Sequence, residues 1–222
     1  MVTRDWHHLW GRLTLARTAA LLLCAPAAPA LAHPHVWIRA QSEIVFDERS
    51  QLAALRQLWV FDEAYSAFMT LGLDGSRDGQ PDPGKLADLA ESNLKSVAAS
   101  GYFTNARANG KPVLFAPPRD AQLTFAEGRL RLAFVLPLAT PMPPPKVMVL
   151  TVEDPTFFVS FSFEPGGEAI RLAGPKTGCA LNINRPAQVA AEGKQIVADE
   201  VAASAGPTAA ADYVTRAILA CP

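Results

Sequence analysis

The chain has 222 residues, half of them hydrophobic and 18% charged, with 20 Lys and Arg against 21 Asp and Glu. No basic patch or arginine-rich run stands along it, which argues against nucleic acid as a partner. The apolar content is enough for a single domain with its own core.

The first 32 residues read as a cleavable secretory signal. Arg4, Arg12 and Arg17 make a positive n-region, a short Ala, Leu and Cys run fills residues 19–25, and Ala30-Leu31-Ala32 is an A-x-A cleavage pattern. That run is far shorter than the roughly 20 residues a bilayer-spanning helix needs. An uncleaved anchor is therefore the lesser alternative. A lipoprotein would acylate Cys24, but Leu23 stands where a small side chain is wanted. Cleavage after Ala32 would remove Arg4, Arg12, Arg17 and Asp5, leaving 17 basic against 20 acidic residues. Only His33 and His35 would remain as histidines, and only Cys179 and Cys221 as cysteines. The expected product is periplasmic, with no stable insertion in the membrane. An even cysteine pair in an exported chain points to a Cys179–Cys221 disulfide, whereas a redox pair would want a C-x-x-C spacing that is missing.

Taken in order, Val36–Phe46 alternates as a strand, Asp47 to Ser50 turns, and Leu52–Phe61 returns. Residues 63–71 suggest a short helix. A loop of Gly, Asp and Pro follows over 72–84, and Leu86, Leu89, Ala90, Leu94 and Val97 predict a helix ended by Ser100-Gly101. Asn109-Gly110 predicts a hairpin between 102–108 and 112–116, and Glu127-Gly128 another between 122–126 and 129–136. A Pro141–Pro145 connector leads to strands over 147–152 and 157–163, the second with an aromatic stripe suited to a core. Short strands over 169–172 and 180–183 close the expected set. The expected fold class is α+β and β-rich, with two packed antiparallel sheets and helices on one side. The expected divisions are a signal at 1–32, a β-rich domain at 33–186 and an alanine-rich, helical C-terminal extension at 187–222.

Three sets of residues could carry chemistry. A mature chain starting His33-Pro34-His35 offers an α-amine and two imidazoles, nitrogen donors suited to Ni, Co, Zn or Cu. Pro34 has no N–H to lose, so the square-planar site that needs the second amide nitrogen is excluded. His33 could instead chelate through amine and side chain, with His35 adding a nitrogen and Asp62 or Glu63 an oxygen. The second set is a degenerate calcium loop, Asp74, Ser76, Asp78, Gln80 and Asp82, in which Lys85 stands where a bidentate Glu is needed. Calcium is accordingly disfavoured. The third set, Asp62-Glu63 and Glu153-Asp154, is equally explained as a helix cap and a turn. With no G-x-S-x-G, Walker loop or G-x-G-x-x-G, and no further histidine, a conventional hydrolase triad has no residues to form from.

Five segments in order, His33-Pro34-His35-Val36-Trp37-Ile38, Trp59 to Ser66, Asp74 to Asp82 with its helix, Gly101-Tyr102-Phe103-Thr104, and Asp154-Pro155-Thr156-Phe157-Phe158, resemble the domain of unknown function 1007 family. The resemblance covers essentially the whole mature chain. It implies a periplasmic component of an ABC-type transport system, a neighbour of nickel/cobalt-type transporters, and by itself no activity. Lys85 departs from the Glu usual at the end of that loop. The expected function is therefore a non-enzymatic periplasmic accessory that binds a transition metal and partners a membrane metal transporter or permease. The alternatives are a metal-free interaction domain and a copper-dependent redox enzyme built on the N-terminal histidine chelate.

Overall fold

The computed structural model describes residues 34–73, 80–163, 169–175, 177–185 and 214–222. Two long strands open it, β1 (Val36–Phe46) and β2 (Leu52–Phe61), paired antiparallel from Ile38↔Phe61 to Phe46↔Leu52. Two helices follow, α1 (Glu63–Met69) and α2 (Pro83–Ser96), and then a 3-10 segment at Ala98–Phe103. The remaining strands are β3 (Thr104–Ala108), β4 (Lys111–Pro112), β5 (Arg119–Ala126), β6 (Arg129–Met142), β7 (Val147–Val152), β8 (Val159–Phe163), β9 (Ile170–Ala173), β10 (Ala180–Asn184) and β11 (Arg216–Ala220).

They form two sheets, as the alternation predicts. The first has the order β5-β6-β2-β1-β8, with β9 beside β1 past the end of β8; the second has the order β10-β11-β7-β3-β4. Pairing is antiparallel throughout except at the β1 edge, where β8 and β9 both run parallel to β1. The α+β, strand-rich class therefore holds. Along β1, Ile38, Ala40, Ile44 and Phe46 point inward and are almost wholly buried, while Arg39 and Gln41 face out. Leu55, Trp59 and Phe61 of β2 and Leu130, Leu132, Phe134 and Leu136 of β6 do the same. Met148, Leu150, Ala217 and Leu219 from the second sheet and Leu86, Ala90 and Leu94 from α2 join them in one core. A fully buried Leu or Phe contributes roughly 1.5–3 kcal/mol through its apolar surface, so the period-2 pattern fixes the register by itself.

Local chemistry sets the turns. Asn109 and Gly110 have φ of 50° and 79°, and Glu127 and Gly128 have 54° and 72°, the double left-handed conformation of a two-residue hairpin. Gly174 has φ of 106°, and a Cβ there would lie 2.2 Å from the Phe46 carbonyl oxygen, so only glycine lets β9 end beside β1.

Three expectations need correction. The C-terminal segment is not helical where it is described: Arg216–Ala220 is strand β11, set between β10 and β7, with Ala217 and Leu219 in the core. Its alanines favour a helix locally, but alternating Ala217 and Leu219 fill the inner face of a sheet, and burial overrides propensity. Residues 186–213 of the expected helical extension lie outside the described residues. The strand before the Pro141–Pro145 connector runs on to Met142. Pro137 is accommodated in it because its carbonyl accepts from the Ala116 N–H at 2.9 Å and its missing N–H leaves no donor unpaired. The second arm of the Asn109-Gly110 hairpin is only Lys111–Pro112. Among the described residues no helix is long and apolar enough to cross a membrane.

Cys179 and Cys221, which flank the paired strands β10 and β11, form a disulfide across 42 residues. A loop of that length implies about 4 kcal/mol of chain-entropy stabilisation. Replacing both cysteines by serine should lower the unfolding free energy by about that amount, measured by denaturant unfolding, with a steeper slope because the uncrosslinked denatured chain is less compact.

Candidate functional site at the start of β1

His35 lies just before β1, and two aspartate-led turns hold the backbone around it from opposite sides. On the β2 side, Asp62 caps α1: its Oδ1 accepts from the Tyr65 N–H at 2.8 Å. Its Oδ2 accepts from the Trp37 N–H at 2.9 Å, and its own N–H donates to the Trp37 carbonyl at 2.9 Å. One side chain thus ends β2, starts the helix and extends the ladder to β1. On the β8 side, Asp154 is buried; Oδ1 accepts from the Thr156 N–H and hydroxyl, and Oδ2 from the Val159 N–H at 3.0 Å. The turn it organises puts Phe157 at φ 58° and aims the Phe158 carbonyl at the His35 and Val36 N–H groups, 2.9 and 3.3 Å away. The Phe158 ring lies 4.9 Å from the His35 imidazole, centroid to centroid. Pro34 is buried and His35 exposed. The geometry anchors the backbone and presents the imidazole outward.

The rest of the Trp59–Ser66 segment is structural. Ser66 is fully buried; its hydroxyl donates to the Asp62 carbonyl at 2.6 Å and accepts from the Leu130 N–H at 2.9 Å, which docks α1 on β6. Trp59 meets Phe134 edge-on at 5.0 Å and Phe161 at 5.3 Å, so the β8 aromatic stripe reaches into the core. Tyr65 stacks on Phe61, and burial pushes its phenol above the ordinary value, with the charge of Asp62 acting in the same direction.

The model of a family described as a protein of unknown function, DUF1007, matches residues 18–221. The chain belongs to the DUF1007 family. No curated protein matches the sequence.

For this DUF1007 chain, the expected ligand residues divide into those the fold brings together and those it employs elsewhere. His35 and Asp62 come to the same end of the first sheet, but both Asp62 oxygens already accept from backbone N–H groups. Glu63 is largely exposed and pairs with Arg129 at 2.7 Å. His33 lies outside the described residues, and among those that are described no three His, Cys, Asp or Glu side chains cluster in a way that could hold a metal. Of the calcium-loop residues, Asp74, Ser76 and Asp78 lie outside the described residues. Asp82 caps α2, with Oδ1 accepting from the Lys85 N–H at 3.0 Å. The Lys85 ammonium reaches back to the Gly72 carbonyl at 3.1 Å, so a cation occupies the base of the loop where a carboxylate would be needed.

One cluster had no signal in the sequence. Glu43, on the outward face of β1, is bonded by Arg56 of β2 through one oxygen and by Arg171 of β9 through the other. Burial alone would raise its pKa, but the hydrogen bonds and charges of Arg171 and Arg56 outweigh that and hold it below the ordinary glutamate value. Glu43 and Arg56 face each other across the β1–β2 hairpin, and Arg171, 128 residues from Glu43, joins them only through the register of β9.

Asp62→Ala should cost about 2–4 kcal/mol in chemical denaturation, since it strips a helix cap and a charged acceptor of a backbone N–H; Asp62→Asn should recover part of that. Because Glu43 titrates lower folded than unfolded, its contribution is fully present above the ordinary glutamate range and fades as pH falls through the lowered value. The stability difference between wild type and Glu43→Gln, followed by urea unfolding against pH, should therefore be present near neutrality and shrink in acid.

Proposed function

We propose that this DUF1007 protein is a periplasmic, non-enzymatic accessory of a transition-metal transport system, binding nickel, cobalt, zinc or copper at its processed N-terminus. The observation that carries the proposal is the double clamp on residues 35–37, which fixes the backbone at an exposed His35. Preorganised donors lose less freedom on binding than a fraying end would. With cleavage after Ala32, the His33 amine and imidazole supply the chelate and His35 a further nitrogen. Asp62 positions β1 through its backbone hydrogen bonds, and Glu63 pairs with Arg129. The Cys179–Cys221 disulfide supports an oxidising compartment. The partner in this proposal is a membrane metal transporter or permease that receives or delivers the ion.

A second proposal, a metal-free interaction domain, is favoured by Phe68 and Leu71, 69% and 73% exposed at the end of α1. Apolar side chains in that position suit contact with a protein partner.

One experiment separates the two. The exported protein, its first residue established by N-terminal sequencing, is titrated with Ni, Co, Zn and Cu, and transport is followed in cells carrying the variants. Stoichiometric binding that His33→Ala and His35→Ala each weaken by about tenfold or more, with loss of transport, is expected for a chelate losing one donor. No stoichiometric binding by any of the four metals would sink the metal proposal, and transport that persists without both histidines would favour the interaction domain.

A further inference from the structure

The outward face of the first sheet gathers arginines that the sequence scatters. Across β9, β1 and β2 the register sets Arg171, Glu43 and Arg56 side by side, and Arg119 and Arg131 share the face on β5 and β6. The last two are matched by local acids, Arg119 by Asp120 at 2.9 Å and Arg131 by Glu127 at 2.6 Å. Arg56 and Arg171 share a single carboxylate. Their trio with Glu43 therefore carries one positive charge in excess.

That excess borders a pocket of about 220 Å³, lined by the trio, Gln41, Leu58 and Ala133. Leu58 and Ala133 are directly paired across β2 and β6 and supply an apolar floor. The Glu43 side chain is only 14% exposed, whereas those of Arg56 and Arg171 are 53% and 54% exposed. The carboxylate thus lies deep and the guanidinium groups rise around it. Each guanidinium has five N–H donors; Arg56 gives Glu43 one hydrogen bond and Arg171 gives it two, so both keep donors for a second acceptor. A planar fork held in place by one carboxylate is preorganised for another oxyanion.

We propose that this pocket is an oxyanion site, taking the carboxylate or phosphate group of a small ligand whose apolar part lies on Leu58 and Ala133. Glu43 orients both arginines and cancels part of their charge, so it holds the site together and sets its affinity. The site is separate from the N-terminal histidines, and its test does not depend on metal.

The probes are benzoate and phenyl phosphate, with benzyl alcohol as the neutral control, titrated calorimetrically into the processed protein at low ionic strength. Benzoate, phenyl phosphate or both should bind, the stronger one naming the head group, and benzyl alcohol should not. Arg56→Gln and Arg171→Gln should each weaken binding by about tenfold or more, Arg56→Lys less, because it keeps the charge and loses the fork. Near-UV circular dichroism checks each fold, and if a glutamine variant does not fold, Arg56→Lys and Arg171→Lys carry the comparison. The proposal is overturned if neither anion binds at about 10 mM, a limit well above an ordinary weak site, if benzyl alcohol binds as well as benzoate, or if the arginine variants bind like wild type.

Discussion

Two carboxylates determine where β1 begins, and much of the molecule follows from that. Asp62 and Asp154 each spend both oxygens on backbone N–H groups, one at the end of β2 and one at the entry to β8. Hydrogen bonds to an ionised acceptor are among the stronger ones a fold can make. By closing the turns on either side of β1, they allow an antiparallel partner and a parallel partner to meet the same strand in fixed register. The inward residues of β1 then face β2 and β6 neighbours of matching size, and the core closes around Trp59 and Phe134.

The same clamp explains why acidic residues beside aromatic strands invite two readings. A carboxylate at a strand end suits a metal, and it also suits a helix N-terminus or a tight turn. Sequence alone names both roles for Asp62 and Asp154; the distances show the cap and the turn. His35 is exposed, and its ring lies against Phe158.

The strands and helices were largely legible because their signals are local. Period-2 alternation gave β1, β2 and β6, helical spacing of Leu86, Ala90 and Leu94 gave α2, and Asn109-Gly110 and Glu127-Gly128 gave two hairpin turns. What could not be read was everything that depends on pairing between distant segments. Alanine-rich sequence near residue 216 favours helix, and only the vacant lane between β10 and β7 makes it a strand. The parallel run of β8 and β9 along β1 has no local mark either. The Glu43 cluster is the same case: no run of basic residues announces it, and the register of β1, β2 and β9 assembles it.

The placement of β11 carries a consequence for how the chain reaches its native state. A strand from residues 216–220 lies inside the second sheet, between β10 and β7, rather than on its rim. A chain made in N-to-C order cannot complete that sheet until residues 216–220 are available to pair with β7 and β10. Unpaired lanes of this kind are slow to fill, because closing them means bringing together residues far apart in the chain. Cys179 and Cys221 flank β10 and β11, so the pairing that fills this lane also brings the two cysteines together.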